Sequence, residues 1–143
     1  VTGHASSWQW WLGLSCYDFK DGLVYTDKAA TEIFDSKMLW TIGHYSAFIR
    51  PGAKRIGIEQ VWPTGEKLMV SAYSNENIED AVIVVTNLTD AHQVIDIDWR
   101  SGHQAGWEIF ETSDTRSLEK IGEMEPNNPV MIPARSIVTL YSK

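Results

Sequence analysis

The periodicity of the chain changes at Pro51-Gly52, and that change constrains the fold more than any other feature of the sequence. Before it, Met38, Leu39, Ile42, Tyr45, Phe48 and Ile49 recur at three- and four-residue spacing, which places them on one face of a helix over residues 36–49. Asp35 or Ser36 can cap its start. Pro51 ends it, because proline has no amide hydrogen to donate and disfavours helix in the residue before it. After Gly52 no helix of useful length fits. Lys54–Gln60, Lys67–Ser74, Ala81–Asn87, Gln93–Trp99, Gly106–Thr112, Leu118–Gly122, Val130–Ile132 and Arg135–Ser142 read instead as short strands. Ile95, Ile97 and Trp99 alternate with Asp96 and Asp98, as in a strand with one wet face, and Pro63-Thr64-Gly65, Ser101-Gly102 and Pro126–Pro129 supply turns. Strands at this spacing build an antiparallel β-sandwich.

Ahead of the helix, residues 5–14 have the aromatic content of a strand. When extended, Trp8 and Trp10 share one face while Gln9 and Trp11 share the other, which suits a strand buried on both sides. Residues 15–25 then form a polar and aromatic loop with Asp18, Lys20 and Asp21. Strand, loop and helix make one β/α unit, which leaves an apolar face and both strand edges to be covered by a partner.

Composition narrows the function. The 143 residues are 43% hydrophobic and 22% charged, within the range of ordinary globular domains. A net charge of -7 argues against a nucleic-acid partner, which needs a basic face, and no apolar run approaches the roughly 20 residues that span a bilayer, so no membrane partner is expected. Cys16 is the only cysteine, which excludes an intrachain disulfide and a thiolate zinc cluster. His4, His44, His92 and His103 lack a metal-ligand spacing and are expected at the surface or as caps; no metal and no cofactor is expected. The glutamates are expected on solvated surface. Asn87-Leu88-Thr89 fits the glycosylation sequon and equally a turn between strands. The chain opens on Val1 without a basic-then-apolar leader, as expected of a processed product or a piece of something longer. Seven tryptophans, three of them within Trp8-Gln9-Trp10-Trp11, exceed what filling a core requires.

Ser7-Trp8-Gln9-Trp10-Trp11, Asp21-Gly22-Leu23-Val24-Tyr25, Lys37-Met38-Leu39-Trp40 and His44-Tyr45-Ser46-Ala47-Phe48-Ile49-Arg50-Pro51-Gly52 occur in an order that resembles the C-terminal end of glycoside hydrolase family 30. Trp107-Glu108-Ile109, Thr112-Ser113 and the closing Ile132-Pro133-Ala134-Arg135-Ser136-Ile137-Val138-Thr139-Leu140 extend the likeness over nearly the whole chain. His44 and Ala47 depart from the Asn and Arg more frequent at those positions of the family. The resemblance implies a mainly β chain, an antiparallel β-sandwich preceded by one β/α unit of an incomplete (β/α)8 TIM barrel. Residues 1–50 would be the last strand, loop and helix of the barrel, and residues 53–143 a β-sandwich side domain.

The same resemblance implies a secreted, retaining, metal-independent enzyme acting on a β-linked polysaccharide, with galactan, glucan and xylan all open. Its two catalytic glutamates would lie on barrel strands that precede this chain, so no catalytic residue is expected here and the chain alone should be inactive. The substrate-binding residues implied are Trp8, Trp10 and Trp11, with Tyr17 and Asp18 in the following loop. A pyranose presents an apolar C–H face that stacks on an indole, and Trp10, with Trp8 beside it, is favoured for that platform. Alternatively, Trp8 packs in the barrel and Trp11 against the helix. The partners implied are a carbohydrate substrate and the remainder of the barrel. The rival reading is a noncatalytic carbohydrate-binding or interaction module.

Overall fold

A computed structural model describes residues 7–16, 21–59, 68–75, 78–98 and 105–142. Eleven strands and one helix are defined among them: β1 (Leu14–Cys16), β2 (Val24–Thr26), β3 (Ile33–Asp35), α1 (Lys37–Ser46), β4 (Lys54–Ile56), β5 (Leu68–Asn75), β6 (Ile78–Asn87), β7 (Gln93–Ile95), β8 (Trp107–Thr112), β9 (Glu119–Met124), β10 (Val130–Ile132) and β11 (Ser136–Ser142). The protein is mainly β, and the eight segments expected after Gly52 all appear as strands.

Six of these form one antiparallel sheet in the order β4-β5-β6-β11-β8-β9. Because side chains alternate across a strand, Val70, Ala72, Ile83, Val85, Val138 and Leu140 point to one face, where they pack with Trp107 against Ile95, Val130 and Ile132 of the two-stranded β7–β10 sheet. This is the sandwich core. The opposite face is also apolar: Val82, Val84 and Ile137 lie there beneath Tyr45, Phe48 and Ile49 of the α1 segment. The helix is thus a third layer, and the continuous run Ala81-Val82-Ile83-Val84-Val85 is apolar at every position because both faces of β6 are covered.

Ser36 caps α1 as expected, its Oγ accepting the Leu39 amide at 3.2 Å, while its own amide and hydroxyl donate to the Leu23 carbonyl. The regular helix ends at Ser46, earlier than the expected Ile49. The turn nevertheless continues, with the Ala47 and Ile49 amides bonding the Gly43 and Tyr45 carbonyls, before Pro51 and Gly52, the latter at φ 97°. Phe48 sits between Phe110 and Tyr141, at centroid distances of 4.8 and 5.3 Å.

Two strand boundaries move for a local reason. Leu118 and Arg135 have φ of 55° and 50°, outside the strand region, so β9 and β11 begin one residue later than the pattern suggests. β7 stops at Ile95, although Ile97 still packs on the core.

The strand expected over residues 5–14 is not formed as such. Residues 7–13 carry no strand, and β1 begins at Leu14. Two further strands are also unexpected: β2, which begins in the stretch read as loop, pairs parallel to β1, and β3 pairs antiparallel to β2. The reason is cover. A strand apolar on both sides needs layers above and below, whereas Trp8 and Trp11 are 62% and 83% exposed and Ile33 is 76% exposed.

The alternation within β10 gives a direct check. Ile132, with no exposed surface, should cost about 2–5 kcal/mol when replaced by alanine, whereas its neighbour Met131, which faces solvent, should stay within about 0.5 kcal/mol on the same substitution. Urea unfolding of the two variants measures both.

Candidate functional site

The aromatic stretch and the turn that follows β1 are held together by a few specific bonds. The indole Nε1–H of Trp10 donates to the Asp21 carbonyl at 2.9 Å, and the Asp21 carboxylate accepts the hydroxyl of the buried Ser15 at 2.7 Å. The Leu23 and Val24 amides donate to the Leu12 and Gly13 carbonyls, which extends the β1–β2 alignment back towards the tryptophans. Gly22 makes this approach possible: a Cβ there would lie 2.6 Å from the Val24 carbonyl oxygen and 2.7–2.8 Å from Ser15, closer than any side chain can stand.

The result is a pinned indole with a free one beside it. Trp8 and Trp10 stand 5.7 Å apart between ring centroids, inclined at 59°, with Trp10 half-buried and Trp8 exposed. The expectation that these two share a side agrees with their contact, although residues 7–10 are not in a strand. Trp11 is the more exposed still. Tyr17 and Asp18, the other two residues expected to bind substrate, lie outside the described residues. Asp21, which anchors Trp10 through its backbone and Ser15 through its side chain, was legible only as a polar residue before a glycine.

The next turn is organised by Asp27. Its carboxylate accepts the Thr31 and Glu32 amides and the Thr31 hydroxyl at 2.6–2.9 Å. Bonding to Glu32 first, and then to Thr31, holds this carboxyl below the usual range, so it stays ionised and the 27–32 turn stays closed at mildly acid pH. That turn brings β2 and β3 together, with Tyr25 and Phe34 stacked at 5.6 Å.

Several polar residues sit where surface was expected. Glu111 is buried and paired with Arg116, whose guanidinium lies 2.8 Å from its carboxylate. His44 has no exposed surface and lies between the hydroxyls of Thr112 and Thr139. Burial pushes its imidazole down to about 4, so it is neutral at pH 7. His92 does act as a cap, its Nδ1 accepting the Ala134 amide at 3.1 Å, and His4 and His103 lie outside the described residues. Among the described residues no group of His, Cys, Asp or Glu is placed to hold a metal ion.

Asn87 resolves the sequon in favour of the turn. Its side chain is 1% exposed; Nδ2 donates to the Ala91, Ile132 and Pro133 carbonyls and Oδ1 accepts the Thr89 amide and hydroxyl. The nitrogen that would carry a glycan is committed inside the fold.

Two antiparallel sheets packed face to face, with α1 laid on the outer face of the larger one, define a β-sandwich. Residues 52–140, more than half of the chain, match the glycosyl hydrolase family 30 β-sandwich domain, and the chain belongs to that family. A conserved exported protein from Bacteroides fragilis is 34% identical over 77% of this chain, with a TM-score of 0.67. A family 30 endoxylanase from Clostridium papyrosolvens is 25% identical over 87%, with a TM-score of 0.71. The catalytic domain of a family 30 xylanase C from Talaromyces cellulolyticus shares the fold over 93%, at 24% identity and a TM-score of 0.71. The chain spans only 22%, 31% and 30% of those three proteins.

Two substitutions test the supports described here. Gly22→Ala should force the 21–24 segment away from Ser15, and hydrogen exchange should show the Leu23 and Val24 amides opening about tenfold more often while β6 and β11 are unchanged. Asn87→Ala removes the buried amide that bonds three carbonyls and accepts the Thr89 amide, and should lower the free energy of unfolding by about 3 kcal/mol in urea.

Proposed function

We propose that this chain is the C-terminal part of a retaining glycoside hydrolase acting on a β-linked polysaccharide, and that its contribution is an aromatic substrate platform together with a structural side domain. The observation that carries the reading is the Trp8–Trp10 pair, in which the exposed Trp8 stands against a half-buried Trp10 fixed by its bond to Asp21. A sugar ring stacks on a rigid indole without an ordering cost at that indole, and a second inclined ring widens the apolar floor. In this reading residues 1–50 are the last strand, loop and helix of a (β/α)8 barrel, and Trp8, Trp10, Trp11, Tyr17 and Asp18 line its mouth, where barrel enzymes hold substrate. The exposed Leu14, Ile33 and Phe34 are then the surfaces that the rest of the barrel covers. Among the three polysaccharides left open by the sequence, the endoxylanase at 25% identity favours xylan, and the exported relative favours secretion.

Retaining hydrolysis uses two carboxyl groups about 5 Å apart across the scissile bond. The carboxylates with described partners are otherwise engaged: Glu111 with Arg116, Glu108 and Glu123 with Lys120, and Asp90 with Arg135. The reading therefore puts the catalytic pair in the upstream barrel. Among the described residues the sandwich aromatics favour a bracing role over a separate glycan site, since Trp107 is in the core and Phe110 and Tyr141 lie beneath the α1 segment.

Calorimetric titration of the chain with soluble xylan, galactan and β-glucan tests this. Xylan should bind without being hydrolysed, and Trp10→Ala should weaken binding about tenfold. Turnover by the chain alone, or binding that survives loss of both Trp8 and Trp10, would overturn it.

A further inference from the structure

The contact between α1 and the sandwich is apolar around its margin and polar at its centre. Tyr45, Phe48 and Ile49 supply the margin; the centre is His44, which has no exposed surface. A methyl of Leu118, from the β8–β9 connection, fills the space a side chain at Gly43 would take, and Lys37 reaches the Arg116 carbonyl and Ser117 hydroxyl of the same connection. Helix, β8, β11 and connection therefore meet at one imidazole.

The hydrogen bonds around that ring close only for the neutral form. The Leu118 amide donates to Thr112 Oγ1 at 2.9 Å, and Thr112 Oγ1 lies 2.9 Å from His44 Nε2. His44 Nδ1 lies 2.8 Å from Thr139 Oγ1, which in turn donates to the His44 carbonyl at 3.4 Å. With the proton on Nδ1, the Thr112 hydroxyl donates to Nε2, Nδ1–H donates to Thr139, and every donor in the circuit has an acceptor. A second proton on Nε2 turns that acceptor into a donor. The Thr112 hydroxyl then loses the group it donates to, and a cation is left in a buried joint.

Among the described residues no carboxylate stands ready to compensate. On β8, Glu111 lies opposite Val138 and so faces the sandwich core, where Arg116 holds it. Glu108 lies opposite Tyr141 on the helix side, towards the other end of the strand, in exposed pairs that join it through Lys120 to Glu123 of β9. β11 offers only the Tyr141 phenol, and β5 that of Tyr73; β6 presents Val82 and Val84. The connection adds Asp114 and Arg116, and α1 itself adds Lys37 and Tyr45.

We propose that this joint is an acid-released latch, in which protonation of His44 detaches α1 from the outer face of the sandwich while the sandwich itself stays folded. The sign follows from burial. The closed joint holds the imidazole near 4 against an ordinary 6.5, so the open joint binds the extra proton. The latch is at full strength above pH 6.5, weakens as the pH falls through that value, and weakens no further below about pH 4. By pH 5 the ratio of closed to open should have dropped about 20-fold from its value at pH 7.

Amide exchange of the full chain, expressed as protection factors at pH 7 and pH 5, reads this directly. The Ala47 and Leu118 amides should lose about 20-fold in protection while those of β6 and β11 lose none. In His44→Gln, whose amide keeps one donor and one acceptor but cannot be protonated in this range, the Ala47 profile should be flat. An unchanged wild-type profile, the same fall in His44→Gln, or parallel loss in the β6 and β11 amides would overturn the proposal. Should the variant fail to fold, the wild-type His44 ring resonances decide: a ring titration that tracks the fall in Ala47 protection supports the latch, and a ring that titrates while Ala47 protection holds overturns it.

Discussion

Burial of one sheet on both of its faces is the constraint from which the rest of this structure follows. In β6 and β11, Val84, Val85, Val138, Thr139 and Leu140 have no accessible surface whichever way they point. The sandwich core accounts for Val85, Val138 and Leu140. The opposite face, with Val82, Val84 and Ile137, would be an exposed apolar patch without α1, and a patch of that kind is a liability in water. The helix therefore covers apolar surface that the sandwich would otherwise expose, and the boundary drawn at Pro51-Gly52 separates two patterns of sequence that share one buried contact.

The edges of that sheet are managed in the usual physical way. Its outermost strands are β4 and β9, which carry Lys54 and Arg55 on one side and Glu119, Lys120 and Glu123 on the other. Charges on an edge strand oppose the addition of a further strand from another molecule. The segment around β1–β3 has less of this protection, since Leu14, Ile33 and Phe34 are exposed.

Much of the architecture was legible because period and punctuation agree. The helix face from Tyr45 to Ile49, the Ser36 cap and the eight strands after Gly52 all follow from spacing and turn residues. Boundaries were less legible, since nothing in the composition of Leu118 or Arg135 announces a positive φ. Residues 5–14 misled because a two-sided apolar pattern states what a strand requires, and not whether the covering layers are at hand. The candidate site was half legible: adjacent aromatics signalled a platform, but the bond from Trp10 to the Asp21 backbone has no signature in side-chain type. His44, Glu111 and Asn87 were the hardest. Each is polar, each is buried, and each is explained by partners 5 to 95 residues away along the chain.

The buried amide of Asn87 also sets an order of events in biogenesis. The sequon is accessible to a glycosylating enzyme only until β6, β7 and β10 have come together, because Nδ2 then points at the backbone of the segment leaving β10. A sugar attached earlier would occupy the place of the Ile132 and Pro133 carbonyls and keep β11 from reaching its register against β6. In a secretory pathway that modifies nascent chains, the yield of folded protein becomes a race between sheet closure and the transferase. A host without that transferase does not run it.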